Sequence, residues 1–92
     1  MKKCLKIIFS GNCSPDSLYT FAQKHTKQLS LEGTVQSVED NEFKIIVCGE
    51  SEALDSFVDI LHKGSSAISL EDIEIEPFLT LKDYRNVFRL IE

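Results

Sequence analysis

Apolar residues in this chain change period as they run: every second position, then every third or fourth, then every second again, and the cycle repeats. That switching is the tightest constraint on the fold. Cys4-Leu5-Lys6-Ile7-Ile8-Phe9 alternates and predicts a strand that buries Leu5, Ile7 and Phe9. A loop from Ser10 to Ser14 leads into Ser14-Pro15-Asp16, which reads as a helix start with Ser at the N-cap, Pro at the first helical position and an acid in the first turn. Leu18, Phe21, Ala22, His25 and Leu29 then recur at helical spacing. Gly33 restarts the chain into a strand near Thr34 to Glu39, and Asp40-Asn41 is a turn signal before the strand Phe43-Lys44-Ile45-Ile46-Val47-Cys48.

Gly49 breaks that strand. A second helix is expected over about Ser51 to Lys63, burying Leu54, Phe57, Val58 and Leu61 and ending at Gly64. Leu70 to Glu76 alternates, with Ile73 and Ile75 inward and acids outward; Pro77 to Asn86 reads as loop, and Val87 to Ile91 closes as a short strand. The predicted order is β-α-β-β-α-β with an extra terminal strand. Two right-handed crossovers joined by a hairpin give an α+β, ferredoxin-like fold: an antiparallel sheet with both helices on one face. Unrelated activities share that fold, so function has to be argued from the site.

Ninety-two residues, 42% of them apolar, suit one small domain over residues 1–92, with an expected radius of gyration of about 12 Å. No apolar run reaches the length of a membrane span. Fifteen Asp and Glu outnumber ten Lys and Arg, for a net charge of −5, and the basic residues gather only at Lys2, Lys3 and Lys6, which argues against nucleic acid as a partner. Cys4, Cys13 and Cys48 are odd in number and lack CxxC spacing, so the expectation is three reduced thiols in a cytoplasmic monomer, with neither a metal nor a cofactor.

At the loop after the first strand the chain begins to resemble the acylphosphatase family, and the similarity runs over nearly its whole length. Gly11 stands where that family's Gly-x-Val-Gln-Gly-Val-x-Phe-Arg motif starts, and Leu29-Ser30-Leu31-Glu32-Gly33-Thr34-Val35-Gln36-Ser37 resembles its Leu-Gly-Leu-x-Gly-Trp-Val-Arg-Asn. Asp40-Asn41, Gly49, Leu61-His62-Lys63-Gly64, Ile73-Glu74-Ile75 and Phe88 fall in register. The combined spacing carries the resemblance. It implies hydrolysis of acyl phosphates: a loop of backbone N–H groups at a helix N-terminus cradles the phosphate, one arginine clamps it, and one asparagine positions the attacking water.

Position by position, the arginine falls on Tyr19 and the asparagine on Ser37. A phenol donates one hydrogen bond but brings neither positive charge nor a bidentate fork. Losing one preorganised donor typically costs about 100- to 1,000-fold in rate. Ser37 can still hold a water. The cradle positions are Gly11, Asn12, Cys13, Ser14, Pro15, Asp16 and Ser17. Pro15 has no N–H to give, and Asp16 puts a carboxylate at the anion-binding end of the helix, where like charges about 5 Å apart repel by roughly 1–3 kcal/mol. The expectation is an acylphosphatase-like domain with little or no hydrolase activity, whose partner is a phosphate-containing small molecule or a protein. The alternatives are a functional acylphosphatase and a small binding module.

Other features read more plainly. Cys13 beside a helix N-terminus is a candidate activated thiol, weighed against an inert loop cysteine. His25 and His62 lack partners at metal-ligand spacing. Neighbouring first and third strands would bring Cys4 and Cys48 together on the sheet face away from the helices, where a redox-sensitive disulfide is one reading. Lys6, Ile8, Lys44 and Ile46 share that face, and Glu71, Asp72, Glu74 and Glu76 form an acidic strand edge. Lys82, Arg85 or Arg89 are the basic residues able to stand in for the missing arginine if the fold brings one of them to the loop.

Overall fold

A computed structural model describes residues 2–39, 41–64, 70–77 and 88–91. The elements follow in the order β1 (Lys2–Gly11), α1 (Pro15–Gln28), β2 (Glu32–Glu39), β3 (Glu42–Glu50), α2 (Ser51–Lys63), β4 (Leu70–Pro77) and β5 (Phe88–Ile91). They build one five-stranded sheet in the order β4-β1-β3-β2-β5. The β4-β1-β3-β2 pairings are antiparallel, and β5 adds to β2 in parallel. This is the ferredoxin-like arrangement with one further edge strand, and the radius of gyration is 11.8 Å.

The period-two residues do what alternation requires. Ile7 and Phe9 of β1, Val35 of β2, and Phe43, Ile45 and Val47 of β3 are buried together with Leu18 and Ala22 of α1 and Leu54, Phe57 and Leu61 of α2. Phe9 and Phe43, opposite each other in register, stack with ring centroids 5.8 Å apart. A core of this kind is stabilised mainly by removal of apolar surface from water, about 25 cal/mol per Å².

Several boundaries differ from the sequence reading, each for a local reason. β2 starts at Glu32, and Gly33 lies inside it rather than before it. Gly33 adopts φ 149°, and a Cβ there would run into the Ile46 carbonyl of β3, so only glycine lets the two backbones approach. β4 does not alternate cleanly: Asp72 takes φ 54° and the pairing with β1 shifts register between Ile8 and Ser10, the mark of a bulge. As an edge strand it leaves Ile75 39% exposed. Pro77 belongs to β4, while the rest of the expected loop and Val87 lie outside the described residues, as does Asp40 of the turn.

The expectation of three reduced thiols is corrected. Cys4 and Cys48 are directly opposed in the β1–β3 register, their Cα atoms are 4.0 Å apart, and they form a disulfide, leaving Cys13 as the free cysteine. Adjacent antiparallel strands put that pair side by side without any rearrangement. On the same face Lys6 lies opposite Ile46 and Ile8 opposite Lys44, with Glu76 and Glu74 flanking them from β4. Lys6 and Glu76 form an ion pair at 3.6 Å. Exposed pairs of this type contribute little. No described helix is long and apolar enough to cross a membrane.

Candidate functional site

The end of β1, the start of α1 and the β2–β3 hairpin converge at one end of the sheet. Helix capping determines the loop's local geometry. Ser14 has extended φ and ψ, and its Oγ accepts the Ser17 N–H at 3.1 Å while donating to Ser17 Oγ at 2.9 Å. Its carbonyl accepts the Leu18 N–H, and Pro15 takes the first helical position. At the other end of the loop, the Gly11 N–H donates to the Asn41 carbonyl at 2.8 Å. Asn41 adopts φ 62°, the left-handed conformation asparagine tolerates in a hairpin turn.

These bonds take up amides that a phosphate cradle would need. Gly11 is committed to the hairpin, Ser17 to the cap, and Pro15 has none to give. The cradle positions not spoken for by these bonds are Asn12, Cys13, Ser14 and Asp16. Asp16 is exposed in the first turn of α1, where its charge matches the helix dipole without any bound anion.

Beside the loop lies an open cavity of about 340 Å³, lined by Cys13, Pro15, Ser37, Glu39, Asn41 and Phe43. It brings Ser37 together with two of the cradle positions. The sequence marks Asn41 only as part of a turn and does not mark Glu39 or Phe43 as site residues, although a signal was present. Glu39 lies two residues beyond Ser37 on β2, and Phe43 sits opposite Ser37 in register. A second hollow of about 330 Å³, lined by Ser10, Gly11, Asn12, Asn41 and Glu71, adjoins it through Asn41. Glu71 reaches that place because β4 pairs it with Ser10. Each hollow thus carries a carboxylate, and no described Lys or Arg lines either one.

Tyr19 does not line the cavity. Its phenol donates to the Phe88 carbonyl of β5 at 3.0 Å and accepts from Gln23 Nε2 at 3.0 Å, and its ring stacks on Phe88 with centroids 6.1 Å apart. The one proton a phenol owns is therefore given to β5. Arg89 pairs with Thr34 in the β2–β5 register and is exposed, one residue out of phase with the buried Phe88, so it belongs to the sheet face away from α1. Lys82 and Arg85 lie outside the described residues. Burial raises the Cys13 pKa above its ordinary value, so this thiol stays protonated at neutral pH, against the activated-thiol reading. His25 meets Phe21 edge-on, with centroids 4.9 Å apart, and no cluster of His, Cys, Asp or Glu suited to a metal occurs among the described residues.

Comparison with known proteins agrees with the architecture. The acylphosphatase family model matches residues 17–89. An acylphosphatase of Caldivirga maquilingensis is 24% identical over 81 residues, spanning 87% of this chain and 85% of that protein. The crystal structure of the Bacillus subtilis acylphosphatase superposes with a TM-score of 0.86 at 25% identity, covering all of both chains. Full-length HypF, in its phosphate- and nucleotide-bound form, contains the same fold as 12% of its length, with a TM-score of 0.82 at 18% identity. The domain thus occurs both alone and as a part of larger proteins. By its sequence match and its architecture, this chain belongs to the acylphosphatase family.

Proposed function

We propose that this member of the family has lost most or all acyl phosphate hydrolysis, and that its altered loop serves binding rather than turnover. The observation that carries this reading is the commitment of Tyr19. At the position where the family resemblance places an arginine, a neutral phenol spends its only proton on the Phe88 carbonyl. The altered cradle points the same way. Pro15 supplies no amide, Ser14 caps the helix internally, and Glu39 contributes a carboxylate where a phosphate would need cations.

A slower hydrolase is the second reading, favoured by one observation: Ser37 faces the same cavity as Cys13 and Pro15 and can hold a water there. A phosphate-containing small molecule or a protein remains the proposed partner, with a monomer in the cytoplasm as the proposed state and setting.

The test is restoration. Tyr19→Arg combined with Ser37→Asn returns the clamp and the water-holding amide, and hydrolysis of benzoyl phosphate should rise by at least about 100-fold over wild type. A folded double variant no faster than wild type would locate the loss in Pro15 and the cradle instead. A wild type already as fast as an ordinary acylphosphatase would overturn the proposal.

A further inference from the structure

The Cys4–Cys48 disulfide lies outside the candidate site. It joins β1 to β3, two adjacent interior strands of the sheet, and spans 44 positions of sequence. The closed segment contains the Gly11–Ser17 loop, α1, β2 and the β2–β3 hairpin. Both sulfur-bearing residues are buried, Cys4 at 3% and Cys48 at 0% exposure, and Glu32 of β2 is the next residue across from Cys48. The bond and the loop sit at opposite ends of β1. At about 3.3 Å per strand residue, Cys4 and Gly11 are on the order of 20 Å apart.

We propose that this disulfide is a buried redox latch that couples the stability of the domain, and not the geometry of its loop, to the surrounding thiol–disulfide balance. In the oxidised protein the cross-link restricts the unfolded chain and pins the β1–β3 register. Its reduction needs a dithiol reductant. One thiolate of the reductant attacks a protein sulfur, forming a mixed disulfide and releasing the other cysteine as a thiolate that takes up a proton. The second thiol of the reductant then displaces the first cysteine, which is protonated in turn. The reductant leaves as its cyclic disulfide, and two electrons have passed to the protein. An attacking thiolate must reach a sulfur along the S–S axis, and burial blocks that path in the folded state. Exchange therefore waits on parting of β1 from β3. The latch holds its state while the domain is folded and resets when it opens.

The experiment uses the full chain prepared in two states, with glutathione disulfide and with dithiothreitol. After denaturation the oxidised sample should show one reactive thiol, that of Cys13, and the reduced sample all three. Reduction should lower the melting temperature by about 10–20 °C. Dithiothreitol should act on the order of 100-fold more slowly on folded than on denatured protein. Amide resonances of Gly11 to Ser14, Asp16 and Ser17 should hold their positions on reduction while those of Leu5, Glu32 and Val47 move. Cys4→Ala with Cys48→Ala should melt with the reduced wild type and ignore reductant; if that variant fails to fold, the thiol count and the chemical reduction of wild type decide alone. Three thiols in the oxidised sample, equal melting temperatures, equally fast reduction of the folded form, or displaced loop resonances would each overturn the proposal.

Discussion

Tyr19 ties α1 to β5: its hydroxyl donates to the Phe88 carbonyl and its ring stacks on the Phe88 ring. Tyr19→Phe keeps the ring and removes the bond, so it should destabilise the fold by about 1 kcal/mol, or about 4–8 °C in melting temperature. An unchanged melt would mean the hydroxyl contributes nothing. Cys13 gives a second check at this scale. Its thiol is held protonated by burial, so its alkylation by iodoacetamide should lag behind a free cysteine at pH 7 and climb at pH values above 9.0, the ordinary value. The same shift means that its contribution to stability is complete below the ordinary pKa and is lost as pH rises through the raised one. That Tyr19 stands at the family's arginine position was legible only as what the resemblance implies. Its consequence was not, because the acceptor of its proton lies 69 positions away in sequence on β5.

Among the elements, legibility follows how local the determinant is. The start of α1 was readable because Ser14, Pro15 and Asp16 act on adjacent backbone: the cap, the missing N–H and the first-turn acid all lie within one turn. The turn at Asn41 was readable for the same reason, with Asn41 in the left-handed region. The limits of β2 and the bulge in β4 were not, because they depend on the approach of a neighbouring strand. Gly33 looked like a breaker and proved to be a contact point against β3. Gly33→Ala should therefore cost about 3 kcal/mol or more, combining a strained φ with a clash against backbone that cannot swing aside. Chemical denaturation measures this directly, and a loss under 1 kcal/mol, the ordinary cost of a tolerated substitution, would contradict the close approach.

For the whole molecule, the ferredoxin-like topology could be read from the period changes because each strand and helix announces its buried face. The topology then brought Cys4 opposite Cys48 and Ser37 beside the loop after β1. The redox state of the cysteines could not be read that way, since adjacency permits a bond without requiring one. Nor could the charge of the cavity, which depends on Glu39 and, in the adjoining hollow, on Glu71 from a strand far along the chain. The net charge of −5 thus has a local form at the place where family resemblance expects an anion to bind. The measurement that tests this most directly is benzoyl phosphate hydrolysis by the unmodified protein beside the Bacillus subtilis acylphosphatase. Loss of a charged clamp predicts a rate at least about 1,000-fold lower; turnover within about tenfold of that enzyme, a difference of about 1.4 kcal/mol in the barrier, would contradict it.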